Sequence, residues 1–143
     1  MPTSRSRDLV LVDTSVAVAL SVGDHERHSS SVEVLRGRRL GLAGHAAFES
    51  FSVLTRLPAP NRRPASAIAR LLAANFPDTR FMSPDATAGL LAELEGGEIS
   101  GGAVYDALVA AVARDHGALL ATDDQRALDT YRVIGARIEV VNP

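Results

Sequence analysis

Apolar and polar positions fall in short blocks along this chain. Residues 9–12, Leu-Val-Leu-Val, form an unbroken β-favouring run that stops at Asp13. Thr14 and Ser15 follow, and a second apolar run occupies 16–20. A short apolar run closed by a polar cluster reads as a buried strand feeding a helix. Positions 24–35 predict a second helix, with Val32 and Leu35 at helical spacing and Asp24 as its cap, and 40–43 a short strand. Over 45–57, Phe48, Phe51, Leu54 and Leu57 recur every three residues and predict an amphipathic helix facing the core through that stripe. Pro58, Pro60 and Pro64 break the chain, and 65–75 resumes as a helix with Ile68, Leu71 and Leu72 on one face. Residues 79–82 predict a strand. Ser83-Pro84 then starts a helix that runs to about 95 and stops at Gly96-Gly97. A helix over 103–116 ends at Gly117, 118–121 is a strand, 122–132 a turn into a short helix, and 137–141 an alternating last strand. Strands separated by helices predict an α/β fold, a parallel sheet covered on both faces.

Composition narrows the chemistry. The chain has 143 residues, enough for one domain with a real core, and residues 1–8 read as a flexible arm. Arg5, Arg7 and the apolar run after them imitate a secretion signal, but Asp13 interrupts that run and favours a retained first strand. No run approaches the ~18 apolar residues of a membrane span. The net charge of −2 offers no global attraction to nucleic acid or membrane. All 15 basic residues are arginine, which excludes any mechanism that needs a lysine. The absence of cysteine excludes thiolate chemistry, disulfides and cysteine-ligated zinc, and fits a cytoplasmic protein.

Four acids stand out. Asp13 sits at the carboxyl end of the first strand, where open α/β sheets hold ligands, although Asp, Thr and Ser there are also ordinary helix caps. As a metal ligand it would have Thr14 or Ser15 to hold its carboxylate or a metal-bound water. Glu49 lies at the border of the apolar face of its helix. Asp106 is the informative one, the only charge in 103–113, Ala-Val-Tyr-Asp-Ala-Leu-Val-Ala-Ala-Val-Ala. A helix apolar all round is buried, and a carboxylate on it needs a partner or a cation. Asp124, or its neighbour Asp123, follows the strand at 118–121 and so joins Asp13 at one edge of the sheet. Acids gathered this way repel one another unless a divalent cation intervenes, and carboxylate oxygens suit Mg²⁺ or Mn²⁺. Such a site suits phosphodiester hydrolysis, with Glu49 or Asp124 orienting or deprotonating the attacking water.

At these residues the chain resembles the PIN-domain nucleases, in particular the VapC-type toxins of bacterial toxin–antitoxin pairs. The matching motifs are Val12-Asp13-Thr14-Ser15, Glu49 within AAFESFSVLTRL, Asp106 within YDALVAAVA, and Thr122-Asp123-Asp124. The ordered set covers the chain from Leu9 to Val141. The resemblance implies a three-layer α/β/α domain with a central parallel sheet of four to five strands. It implies a divalent-metal endoribonuclease, usually a homodimer, whose RNA substrate is protected when a cognate antitoxin occupies the acidic cleft. It assigns Asp13, Glu49, Asp106 and Asp124 as catalytic and metal-binding acids, with Thr122 supporting them and Asp123 beside them. Two other classes compete. An aspartyl-phosphate phosphatase would place a lysine and a second Asp where this chain has neither. A catalytically idle PIN-like binding module would use the same acids as caps and ion pairs. Elsewhere, His25 and His28 flank Glu26 at a zinc-compatible spacing but lack further ligands, and the arginines at 36–39 and 62–63 are candidates to grip phosphates.

Overall fold

The structure, a computed structural model, describes residues 9–143; the arm expected at 1–8 lies outside the described residues. Its centre is a sheet of four parallel strands, β1 (Leu9–Val12), β2 (Arg39–Leu42), β3 (Leu119–Thr122) and β4 (Arg137–Val140), in the order β2-β1-β3-β4. The helices are α1 (Thr14–Ser21), α2 (His28–Leu35), α3 (His45–Thr55), α4 (Ala65–Asn75), α5 (Pro84–Gly96), α6 (Ala103–Asp115) and α7 (Leu128–Ile134), with a 3₁₀ turn at Gln125–Ala127.

Side-chain alternation along β1 builds both cores. Leu9 and Leu11, with Leu120 of β3, point to one face and pack against Leu90 of α5, Ala107–Ala113 of α6 and Tyr131 of α7. Val10 and Val12, with Ala121, point to the other face and meet Val16 of α1, Leu35 of α2 and Ile68 and Leu72 of α4. An unbroken apolar strand is what a sheet covered on both faces requires. The result is the expected three-layer α/β/α arrangement. From β1 the chain crosses to β2 on one side and later to β3 on the other. The sheet's topological switch point therefore lies between β1 and β3, where their carboxyl ends open a crevice.

Several expectations are corrected. The strand at 79–82 reduces to one parallel bridge, Ala43 to Arg80. The segment runs beside β2, its Asp78 amide on the Leu40 carbonyl at 3.0 Å and its Arg80 amide on the Leu42 carbonyl at 3.2 Å, but the Leu42 amide donates to the Thr79 hydroxyl and interrupts the ladder. Its close approach is why position 41 is glycine: a Cβ there would meet the Asp78 carbonyl oxygen at 2.1 Å. The helix expected from Asp24 starts at His28 with no side-chain cap, and the Asp24 carboxylate instead accepts from Asn61 Nδ2 at 3.2 Å. On α3 the buried residues are Ala46, Ser50 and Leu54, while Phe48 and Phe51 face outward. A three-residue repeat drifts around a helix of 3.6 residues per turn, and the core took the four-residue spacing instead. Other starts and stops agree with the pattern: the Ser83 hydroxyl accepts from the Ala86 amide at 3.1 Å, and Gly117 turns with φ +62° after α6.

Candidate functional site

Asp13 leaves β1 and caps α1, so one side chain serves both local structure and the crevice. Its Oδ1 accepts from the Ser15 hydroxyl at 2.6 Å and the Val16 amide at 3.2 Å. Its Oδ2 accepts from the Thr122 hydroxyl and from the Tyr131 hydroxyl, the latter at 2.8 Å. The Asp13 amide donates to the Ala121 carbonyl at 3.2 Å, tying the end of β1 to the end of β3. Only 3% of Asp13 is exposed, and this burial raises its pKa against the pull of the four donors.

Ser15, rather than Thr14, makes the bond to the Asp13 carboxylate. Thr14 lies at the wall of the same small cavity. Thr122 is fully buried; besides donating to Asp13, its hydroxyl accepts from the Asp124 amide at 3.0 Å. Thr122 thus sets the turn that carries Asp124. The two neighbouring acids diverge there. Asp123 turns away: its oxygens accept from the Asn142 amide at 2.7 Å and Asn142 Nδ2 at 2.8 Å, with Arg27 Nη1 4.0 Å away. The Asp123 amide meets Ser15 Oγ at 3.0 Å, so the Asn142 tail and the Asp13 loop are fastened through one residue. Asp124 faces the crevice, where it caps the 3₁₀ turn and lies 3.3 Å from Arg126 Nε.

Asp106 occupies the first turn of α6. That helix is not apolar all round at this point, since Tyr105 is exposed and Asp106 half-buried; full burial begins at Ala107. Burial is the main cause of the upward shift of the Asp106 pKa. The charges of Asp124 and Glu49 add to it, and Asp13 more weakly, with Arg126 opposing. Asp106 therefore senses all three other acids. Glu49 projects from the exposed side of α3. Asp13, Glu49, Asp106 and Asp124, with Tyr131, wall a cavity of 30 Å³, room for a water or a bare ion. A wider cleft of 780 Å³ shares Glu49, Asp106 and Asp124 and adds His45, Phe48, Tyr105 and Arg126.

The donor set is anionic and all oxygen, which suits a hard cation such as Mg²⁺ or Mn²⁺. Among the described residues, no three His, Cys, Asp or Glu groups stand close enough together to hold a metal as they are. The acids instead ring the cavity, an arrangement that their mutual repulsion favours and a counter-charge would tighten. Tyr131 is the participant that the sequence pattern hid. Leu128, Tyr131 and Ile134 repeat every three residues and read as core, which they are. The signal was the hydroxyl: a buried tyrosine needs a partner for it, and here that partner is Asp13. The zinc-spaced histidines are otherwise engaged. The His28 ring lies 2.9 Å from the Ala19 carbonyl, and His25 Nδ1 accepts from the Arg27 amide at 3.1 Å. The arginine clusters are tied down too: Arg36 pairs with Glu33, Arg38 with Glu139 and Arg39 with Asp78, while Arg62 and Arg63 donate to backbone carbonyls.

A parallel sheet with acids gathered at its switch point defines a class. The PIN domain family model matches residues 10–133, and the chain belongs to that family. Its relatives are of the VapC type. The chain is 47% identical over 129 residues to Ribonuclease VapC27 of Mycobacterium tuberculosis (strain ATCC 25618 / H37Rv), covering 90% of this chain and 94% of that protein. It is 40% identical over 135 residues to Ribonuclease VapC40 of Mycobacterium tuberculosis (strain CDC 1551 / Oshkosh), covering 93% and 99%.

Proposed function

We propose that this chain is a divalent-metal-dependent endoribonuclease, acting in the cytoplasm as the toxin of a toxin–antitoxin pair. One observation carries the reading: Asp13, Glu49, Asp106 and Asp124, from four separate parts of the chain, line one small cavity. Asp13 and Asp124 also cap helical turns, but capping does not account for Glu49 and Asp106 being brought to the same cavity without a counter-charge for the set. Similarity to proteins named as ribonucleases supports RNA as the substrate.

Asp13, Glu49, Asp106 and Asp124 would hold Mg²⁺ or Mn²⁺. Such an ion supplies counter-charge, an acidified water and stabilisation of charge on the leaving oxygen. The residues themselves divide the remaining work. Ser15, Val16, Thr122 and Tyr131 fix Asp13 in one orientation and favour its ionised form. Asp106 contributes a second carboxylate from the opposite wall. Glu49, exposed on α3 and lining the cleft, would orient the attacking water and accept its proton, with Asp124 the other candidate for that role. Water oxygen then bonds to phosphorus as the bond to the leaving ribose oxygen breaks. Homodimerisation and inhibition by an antitoxin seated in the acidic cleft complete the reading.

Cleavage of a labelled single-stranded RNA tests it. Wild-type protein is expected to cut in Mg²⁺ or Mn²⁺ and to stop in EDTA. Asp13→Asn and Asp106→Asn should each lose about a hundredfold or more. Undiminished cleavage by either folded variant would remove the assignment.

A further inference from the structure

Six phenylalanine and tyrosine rings occur in the chain, and only Phe76 and Tyr131 of them are buried. Phe48 is 65% exposed and Tyr105 54%, which is unusual for rings that normally supply core area. Both line the wide cleft, and each immediately precedes a cleft acid: Phe48 before Glu49 on α3, Tyr105 before Asp106 on α6. Neither ring is loose. His45 stacks on Tyr105 with ring centres 5.0 Å apart and planes 24° from parallel. Phe81 lies against Phe48 at 5.9 Å with the planes 47° apart. These contacts fix the rings without hiding them.

We propose that Phe48 and the His45–Tyr105 pair form a base-stacking platform that holds an unpaired nucleobase beside the acids. This rests on the nuclease reading above and adds to it what the cleft selects. A chain of net charge −2 with an acidic cleft cannot gather a polyanion through its overall field. Beyond Arg126 and the cation that the acids would hold, affinity for the strand needs contacts indifferent to charge, and stacking on aromatic faces is such a contact. Bases inside a duplex keep their faces covered, so a stacking platform selects single-stranded segments, loops or ends. Every base has a π-face, so the platform sets strandedness more than sequence. The position of both rings within the acid cleft, rather than on a separate face, favours a nucleotide over a protein partner.

The experiment compares two octamers of equal charge, single-stranded octauridylate and an abasic ribose-phosphate octamer. Binding is measured on the wild-type protein with Ca²⁺ in place of Mg²⁺, a larger ion that fills an oxygen site but acidifies water less, so that cleavage does not intervene. The parent is expected to bind octauridylate about tenfold or more tighter than the abasic strand. Phe48→Leu with Tyr105→Leu should abolish that preference while leaving abasic binding and the melting temperature unchanged. Equal binding of both octamers by the parent overturns the platform and leaves the nuclease reading intact. Binding of neither overturns both. If the double variant keeps the preference but sediments as a smaller species than the parent, the rings are a contact between copies and the platform is wrong.

Discussion

At the scale of single residues, Asp13 is a carboxylate whose charge is opposed by burial and sustained by four donors. Tyr131 is the donor whose removal is cleanest, because phenylalanine keeps the packing and deletes one bond to an ionised group. Tyr131→Phe is expected to cost about 1–2 kcal/mol in urea unfolding, against little or nothing for Tyr105→Phe on the surface. Equal stability of the two variants would mean that the hydroxyl does not hold Asp13. Asp106 makes the opposite prediction. Burial and three neighbouring acids raise its pKa above the unfolded value of about 3.9. A raised folded pKa means the native state binds the proton more tightly. The contribution is thus fully present below the unfolded pKa and lost as pH rises through the folded one. Metal-free protein should therefore gain from Asp106→Asn at pH 7, with a melting temperature higher by on the order of 2–4 °C. That gain should shrink as pH is lowered towards 4. A loss at pH 7 would show that the acids do not burden one another.

Elements decide where those residues stand. Glu49 reaches the cleft because α3 starts sharply at Gly44, with φ +50° and ψ −109°, its amide donating to the Arg80 carbonyl at 2.8 Å. A Cβ at Gly44 would also approach Val112 Cγ2 to 2.7 Å. Gly44→Ala is expected to destabilise by roughly 1–3 kcal/mol in denaturant titration, since both backbone and packing resist it. No change would mean that the turn relaxes freely. Element existence was legible where pattern and punctuation agreed, as at β1, at α5 with its Ser83-Pro84 start, and at α6 before Gly117. It failed where a tertiary demand was invisible locally. Residues 79–82 look like a strand, yet the Thr79 hydroxyl takes the Leu42 amide and leaves only one bridge beside β2. The phenylalanines of α3 look like core, yet both are exposed and Phe48 walls the cleft. The second failure is informative, because exposed rings beside acids are the kind of place where function overrides a local rule.

For the whole molecule, strand ends placed Asp13 and Asp124 at one edge of the sheet, while the approach of Glu49 and Asp106 to them came only from the resemblance. Asp106 announced itself as a lone charge on an apolar helix, although the structure exposes that first turn more than the pattern suggests. Asp123 and Asp124 could not be told apart in sequence. The chain separates them by giving Asp123 to Asn142, 19 residues later, a contact that no local pattern encodes. Strand order made the rest: β1 and β3 are neighbours only because the chain reverses direction across the sheet at that point. Among the described residues no helix is long and apolar enough to cross a membrane. The central claim is that the crevice is a divalent-cation site, and its most direct test is a melting curve of the intact protein titrated with Mn²⁺. At 100 times the dissociation constant, a bound ion should stabilise the native state by about 2.7 kcal/mol. The melting temperature should rise saturably with Mn²⁺ in the wild type and stay level in Asp106→Asn; a rise of equal size in that variant, or none in the wild type, would mean that the crevice holds no cation.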